Sequence, residues 1–398
     1  MKILVVAGSC LRVNSSANLC HLAYIRGLVE NGHQVQVLCV EEKGQVTDDS
    51  MVLPEGAQYC YFPDNFLYRF MRPSSWKQTK NNLQNQRKSW KTNIIAYLRK
   101  AVNSFYGPFG LHGAWAKNAV RGFNALPYYD VVISLSSPVH SHWVAVQLIK
   151  KKKVRCKKHI EIWEDPWYLD LYNRQKNKQQ FTMEKELLSA CDRVFYVSPL
   201  TLQYQKELFT DSAGKMDWVA LPYYYKEAQA TAPNHHFGYF GDYFPFSRDL
   251  TPFYQAAKQS NVSVCICGSP ESLFEPTEKI SIYPRLDLAD LKRREQETGI
   301  LVCLANKKGG QIPGKIYQYA ATYKKVLFIL DGTPAEQEVL RRFLEPFQRF
   351  YFCRNNAADI KKALAEILVG NSQIKNEPLE SFSPAHIVRQ IFAKAGLL

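Results

Sequence analysis

Between Gly309 and Leu330 the chain reads GGQIPGKIYQYAATYKKVLFIL. Two glycines lead into an Ile-Pro-Gly-Lys step, then a helix-like stretch and an apolar, strand-like run. Pro313 suits the first position of a helix, because its φ is fixed and its missing N–H is one that a helix start leaves unsatisfied anyway. That puts Lys315 in the first turn, at the positive end of the macrodipole, where a lysine costs about 0.3 kcal/mol or more. Backbone N–H groups at such an end attract phosphate, and with a bound pyrophosphate the cost becomes a gain. Gln318 lies three residues on, on the same helical face and one turn deeper. The spacing sets its amide beside a group attached to the phosphate, such as a ribose. An ordinary Gly-Pro helix start with an exposed lysine also accounts for this stretch taken alone.

The elements that must position these residues alternate along the chain. KILVVAG is an apolar run ending in Gly8, SANLCHLAYIRGLVENGH has apolar residues at helical spacing and ends at Gly32, and QVQVLCV follows. This is a βαβ unit with a parallel sheet, hence an α/β fold. Strand–helix alternation continues at 131–135 with the helix after Pro138, at 159–163, and at 193–197 with the helix after Pro199. The pattern lapses in TDSAGKMD and KEAQATAPNHH, whose small and turn residues read as linkers. It restarts at HFGYFGDY, the strand-then-glycine shape of a first βα turn. VSVCICGSP, ISIYPRL, GILVCLA, KVLFIL and RFYFCR follow as five further strands. The expectation is two α/β halves facing across a cleft, with ligands at the carboxyl ends of strands.

The 398 residues suffice for two domains, and 46% apolar with 22% charged residues is a globular composition. MKILVVAG is too short for a signal peptide and reads as a buried strand. No apolar run approaches the roughly 20 residues that a membrane span needs. Ten scattered cysteines without a C-x-x-C pair read as reduced thiols, with a zinc site the weaker alternative, and Cys265 and Cys267 would share one strand face. The formal charge of +15 is segregated. Between Asp64 and Asp130 there is no acidic residue, and the interval holds Arg69, Arg72, Lys77, Lys80, Arg87, Lys88, Lys91, Arg99, Lys100, Lys117 and Arg121. Lys150 to Lys153, Arg155, Lys157 and Lys158 form a second run. An anionic surface is expected to face this half.

Several stretches taken in order resemble nucleotide-sugar glycosyltransferases of the GT-B fold, in particular the retaining family-four group that builds bacterial surface polysaccharides such as capsule, O-antigen and exopolysaccharide. YDVVISLSSPVHSHWVAVQLIKKKK is similar to that group's strand, Ser-Pro turn and helix. HIEIWEDPWYLD resembles its D-P-W strand end, and CDRVFYVSPLTLQ a strand ending in serine. GYFGDY…SRDL resembles the first donor-domain loop, and IPGKIYQYAATYKKVLF the P-S-K-x-x-E-Y donor signature. The resemblance covers nearly the whole chain. It implies GT-B architecture with two Rossmann-like domains. An acceptor domain would span 1–220, carrying a basic aromatic segment at 65–129. A donor domain would span 221–384, and a C-terminal helix would occupy 385–398, with packing back onto the N-terminal domain as an option.

The implied activity is transfer of a hexosyl or N-acetylhexosaminyl group, with retention, from a nucleoside-diphosphate sugar, UDP favoured. The acceptor would be a surface glycan, carried on a lipid. Lys315 and Arg248 would neutralise the diphosphate. Gly309, Gly310, Gln311, Ile312, Pro313 and Gly314 would line the donor. Gly241 and Gly268 would lie near the nucleotide, and Arg285 and Leu286 would border the base. On the acceptor side stand Ser136, Ser137, His140, Glu164 and Asp165, with Asp165 the first choice for orienting the acceptor, Glu164 its competitor, and His140 a base or a satisfied helix-start histidine. The group often carries two glutamates eight residues apart; here those places hold Gly310 and Gln318. A neutral amide bonds ribose hydroxyls less strongly than a carboxylate does. No D-x-D occurs in the chain, so no metal and no cofactor is expected, and cations would stabilise the leaving diphosphate.

Within the acid-free interval Ile94, Ile95, Leu98, Val102 and Phe105 fall on one helical face flanked by Lys91, Arg99 and Lys100. Such a stripe reads as an interfacial helix on anionic lipid, so residues 69–121 are expected at a membrane surface, or alternatively on the N-terminal domain. No nucleic-acid recognition module is visible. The expected location is cytoplasmic, peripheral on the inner face of the membrane. Two alternatives stay open: a catalytically weak glycan- or partner-binding homologue, and a sugar-nucleotide epimerase of the same fold.

Overall fold

The structure, a computed structural model, describes residues 1–64, 109–110, 113–124, 128–171, 176–230, 234–286, 288–308, 310–370 and 373–398. The chain divides into two compact units. One comprises Met1–His21, Gly32–Tyr168 and Lys176–Val194; the other Leu22–Asn31, Leu169–Gln175 and Phe195–Leu398.

A seven-stranded sheet is built from β1 (Lys2–Ala7), β2 (Gln34–Val40), β3 (Ala57–Phe62), β4 (Tyr128–Ser136), β5 (Arg155–Trp163), β6 (Arg193–Tyr196) and β7 (Met216–Trp218). Its order is β3-β2-β1-β4-β5-β6-β7, and β1 to β5 pair in parallel. The central strands are near-continuous apolar runs because helices cover both faces. Among these helices are α1 (Ser16–Glu30), α2 (Gly113–Gly122), α3 (His140–Lys150), α4 (Lys178–Ala190) and α5 (Pro199–Leu208). Leu4, Val6, Leu38, Val132, Val144, Leu148 and Trp115 form one buried cluster of the first unit, and each such side chain contributes about 1.5–3 kcal/mol by leaving water.

The second unit holds a six-stranded parallel sheet: β8 (Phe237–Phe240), β9 (Val264–Cys267), β10 (Ile280–Tyr283), β11 (Ile300–Leu304), β12 (Lys325–Leu330) and β13 (Tyr351–Arg354), in the order β10-β9-β8-β11-β12-β13. Its helices are α6 (Thr251–Ser260), α7 (Leu288–Gln296), α8 (Lys315–Ala320), α9 (Pro334–Leu344), α10 (Ala357–Val369) and α11 (Pro384–Lys394). Phe237, Val264, Ile266, Ile300, Val302, Leu327 and Ile329 meet Ile360 and Leu364 of α10 in the core. Both sheets run outward from a first strand in two directions. The order reverses between β1 and β4 in one and between β8 and β11 in the other, and these reversals are where open α/β sheets hold ligands.

The six strands expected in the second half are all present. Two strands of the first sheet were not expected. β3 is an edge strand without an apolar run. β7 has three residues, too few to show a period, and it follows a 3-10 turn at Thr210–Lys215 in what reads as linker. Helix α11 lies on the second half of α1, where a Cβ on Gly27 would come within 2.2 Å of the Pro384 carbonyl oxygen. Asn31 Nδ2 donates to the Ala385 carbonyl at 2.9 Å, and Arg389 Nη1 to Asn31 Oδ1 at 3.1 Å. Of the basic segment, residues 65–108 and the cations from Arg69 to Lys100 lie outside the described residues; Lys117 and Arg121 are exposed on α2. Among the described residues no helix is long and apolar enough to cross a membrane. All ten cysteines are free thiols, and Cys265 and Cys267 do share a face, with their sulfurs 3.6 Å apart.

Candidate active site

The loops leaving β8 and β11 bring together the residues that the sequence singled out for an anion. Phe244 lies in the loop after β8, and its carbonyl accepts the N–H groups of Ser247 at 2.9 Å and Arg248 at 2.8 Å. This tight turn presents Arg248 at the order reversal. Arg248 Nε donates to Asn306 Oδ1 at 2.7 Å, and Asn306 Nδ2 donates to the Gln311 carbonyl at 3.1 Å. Asn306 therefore couples the arginine to the loop before α8. Cys303 in β11 is a buried thiol. Burial pushes it up to about 12, against the pull of Arg248 and Lys315.

Lys315 opens α8 as expected, with Gly314 as its cap, but the helix is only six residues long. The lysine is held by a group that the sequence did not point to. Its Nζ lies 3.1 Å from Glu295 Oε1 on α7 and 5.6 Å from the centre of the Tyr319 ring. The carboxylate offsets the cost of a cation at a helix start. Gln318 Oε1 accepts the Tyr224 N–H at 2.9 Å, so its oxygen anchors backbone in this structure. The far end of α8 is fixed by Arg349, fully buried, whose Nη2 donates to the carbonyls of Tyr319 at 3.3 Å and of Thr322 and Lys324 at 2.7 Å. Lys324 Nζ in turn donates to the carbonyls of Gln296 at 3.0 Å and Thr298 at 2.6 Å, beyond Glu295. Two buried or half-buried cations thereby set the register of the helices that carry the Lys315–Glu295 pair.

Gly309 lies outside the described residues. Gly310 has φ +70°, and a Cβ there would come within 2.9 Å of Leu200 Cβ, so its place requires glycine. Its carbonyl accepts from Ser198 Oγ and from Thr201 Oγ1, at the start of α5. Gln311 Oε1 accepts the Leu171 N–H at 3.3 Å, while Ile312 and Pro313 are buried. Gly241 and Gly268 serve a backbone approach: the Gly241 N–H donates to the Cys267 carbonyl at 2.9 Å, and a Cβ on Gly268 would lie 2.0 Å from the Gly241 oxygen. Asp242 locks the same corner, accepting the Ser269 N–H at 3.2 Å and pairing with Arg285 Nη1 at 3.4 Å. Arg285 is exposed there and Leu286 half-buried.

In the first unit the order reversal lies between Gly8 and the Ser136–His140 turn. His140 is buried, and its Nε2–H donates to the Gly8 carbonyl at 2.8 Å. Ser141 Oγ accepts the Gly8 N–H at 2.9 Å. A Cβ on Gly8 would come within 2.6 Å of the His140 ring, so glycine permits this contact. Ser136 is buried and Ser137 exposed. Past β5, the Glu164 side chain is only 10% exposed and Asp165 is half-buried, and the Glu164 N–H donates to the Ser136 carbonyl at 3.3 Å. Beneath them runs a chain of buried polar groups: Ser134 Oγ bonds His142 Nδ1 at 2.7 Å, and Trp163, stacked on His142 at 4.3 Å, donates to Glu161 Oε2 at 2.9 Å. Glu184 of α4 accepts the Tyr168 N–H at 2.6 Å and is raised to about 7 by burial, which backbone hydrogen bonds oppose. Asn306 could have been found in the sequence as the first polar residue after an apolar strand. Glu295, Arg349 and Glu184 are charges on helices and loops, where the ordinary reading is a solvated face.

Neither a protein-family model nor a curated protein sequence matches the chain. Solved structures resemble it over its full length. Sucrose-phosphate synthase from Thermosynechococcus elongatus superposes with a TM-score of 0.55 at 13% identity, covering 99% of this chain and 96% of that one. A glycosyltransferase from Rickettsia africae gives 0.54 at 12% identity, covering 99% and 97%. UDP-GlcNAc 2-epimerase from Methanocaldococcus jannaschii gives 0.51 at 9% identity, covering 99% and 100%. At such identities the likeness is one of fold. The fold is GT-B, with two Rossmann-like domains, shared by glycosyltransferases and UDP-sugar epimerases.

Proposed function

We propose that the protein is a glycosyltransferase that takes a sugar from a nucleoside-diphosphate donor, UDP favoured. The observation that carries this reading is that Arg248, bonded to Asn306 after β11, stands in the loop past β8 at the order reversal, while Lys315 opens α8, the helix that follows β11. Two cations, one on the loop after β8 and one in the first turn of α8, match the charge that develops on a departing diphosphate, and preorganised charge of this kind is a large catalytic term. With these cations in hand the reaction needs no metal. Glu295 keeps Lys315 in place until the diphosphate competes for it. The first unit supplies the acceptor side, with Asp165 orienting the attacking hydroxyl.

The resemblance of the sequence supports the finer reading: transfer with retention of a hexosyl or N-acetylhexosaminyl group to a lipid-linked surface glycan, as in the family-four group. The acid-free basic segment with its apolar stripe supports a cytoplasmic enzyme held on anionic lipid by residues 69–121, and the sequence shows no nucleic-acid recognition module. Calorimetric titration with UDP and GDP tests the donor assignment. UDP should bind, and Arg248→Ala should weaken it more than about tenfold, through loss of a charge-assisted contact of about 1.5–3 kcal/mol. Failure of both nucleotides to bind would leave a glycan- or partner-binding homologue instead. The likeness to the archaeal epimerase keeps sugar-nucleotide epimerisation as a second reading. An epimerase would convert the donor without any acceptor.

A further inference from the structure

His21 lies on α1 with no exposed surface, and it points its Nε2 at Glu164 Oε1, 3.4 Å away. The sequence hides it within an apolar helical stripe. Glu164 Oε1 has no well-formed hydrogen bond. Glu164 is fixed from behind by its own N–H, bonded to the Ser136 carbonyl, and that carbonyl also acts on the His21 ring. Its sequence neighbour is Asp165, so two carboxyl groups compete for charge at one strand end.

Burial holds His21 down at about 3, against the Ser136 carbonyl. Burial also raises Glu164, and the charge of Asp165 raises it further. The other titratable groups around the pair are Cys20, raised by burial and by both carboxylates, and His142, lowered by burial and by His159, His21 and His140. None of these supplies a positive charge. A single proton shared by a carboxyl and an imidazole can form an ion pair or two neutral groups, and a dry site favours the neutral arrangement.

We propose that His21 is a positioning residue that keeps Glu164 protonated, Glu164 Oε1–H donating to His21 Nε2, and so leaves Asp165 as the charged member of the adjacent pair. The proton stays on Glu164, and the ring of His21 carries its own proton on Nδ1. Environments that drive two neighbouring carboxyls apart leave one neutral and the other charged. Here charged Asp165 accepts from a sugar hydroxyl, while neutral Glu164, its one proton held toward His21, adds no second negative charge beside it. This division of roles rests on the glycosyltransferase reading; the protonation state of the pair does not.

The experiment is nitrogen-15 NMR of the full chain labelled at histidine, with His21→Phe used for assignment. His21 should stay neutral from about pH 5 to about pH 8, with the proton on Nδ1. A proton on Nε2, or an imidazolium in that window, overturns the proposal whatever the protein catalyses. Kinetics add a second readout. His21→Phe should lower kcat on the order of a hundredfold and move the pH profile, and His21→Gln, whose amide can still accept from Glu164, should recover part of the loss. UDP affinity should be unchanged in both variants. A His21→Phe enzyme with wild-type kcat and pH profile would show that the residue merely packs. Failure of the wild type to bind UDP would sink the functional reading, and the NMR result would still decide the pair.

Discussion

On the proposed donor reading, replacing Lys315 by alanine should remove one charge-assisted contact to the diphosphate, a loss of about 1.5–3 kcal/mol. The free protein loses something too. Lys315 Nζ sits 3.1 Å from Glu295 Oε1, and the two side chains are 37% and 26% exposed. A pair this open to water is worth about 0.2–1 kcal/mol, and the ligand must disrupt it in the wild type, so its loss is subtracted. The net penalty on UDP binding is about 0.5–2.8 kcal/mol, roughly two- to a hundredfold in Kd. Glu295→Gln keeps an acceptor for the ammonium but removes a negative charge near the phosphates, so UDP should bind tighter by up to about fivefold. The double variant should bind better than Lys315→Ala alone, because no unpaired carboxylate remains to repel the ligand. Calorimetric titration of the four proteins at low salt, with melting curves as controls, measures the cycle. Unchanged affinity in Lys315→Ala with an intact fold removes the lysine from the phosphate site. Weaker binding in Glu295→Gln would refute the idea that the carboxylate competes with the ligand.

Other outcomes follow from neighbouring geometry. Gln318→Glu should keep both the fold and UDP binding, since a carboxylate can accept the Tyr224 N–H as the amide does; loss of nucleotide binding would show that Gln318 does not neighbour the ribose. Gly268→Ala should destabilise by about 1–3 kcal/mol, because its Cβ would meet the Gly241 oxygen at 2.0 Å; an unchanged melting temperature contradicts the weld between the two loops. Glu184 is raised to about 7 in the folded protein, above its unfolded value, so the native state binds the extra proton and stability falls as pH rises from about 4.5 through 7. Glu184→Gln should therefore raise the melting temperature more at pH 8 than at pH 5, and equal shifts at both would dismiss the buried acid. Liposome flotation should show the wild type on anionic vesicles at low salt. Joint replacement of Arg87, Lys88, Lys91, Arg99 and Lys100 by glutamine should release it; indifference of the wild type to such vesicles ends the lipid assignment.

The strands of both sheets were legible because a parallel strand covered on two faces must be a run of apolar residues, as KVLFIL and KILVVA are. The strand orders, and so the reversals, were not legible, because strand–helix alternation fixes parallel pairing but not the order of strands. Lys315 and its glycine loop could be singled out because they stand between an apolar run and a helix start, whereas Arg248, Gly241 and Gly268 were implied by the resemblance. What remained hidden is set by packing between elements distant in sequence. Glu295 reaches Lys315 from the preceding helix, and Arg349 caps α8 from beyond β12. His21 meets Glu164 across more than a hundred residues of chain. A histidine in an apolar helical stripe and a glutamate in a charged helix carry no local mark of their partners. Edge strand β3 and short β7 escaped because their exposure leaves no period to read.

The central claim is that the second unit holds a sugar nucleotide for transfer. Incubating the protein with a panel of UDP- and GDP-sugars, without acceptor and then with lipid-linked glycans, and separating the nucleotides by ion exchange tests it most directly. Slow release of free UDP from at least one UDP-sugar is expected, accelerated by an acceptor and strongly reduced in Arg248→Ala. Sugar nucleotides recovered intact throughout, or recovered as epimers with no acceptor present, would contradict it.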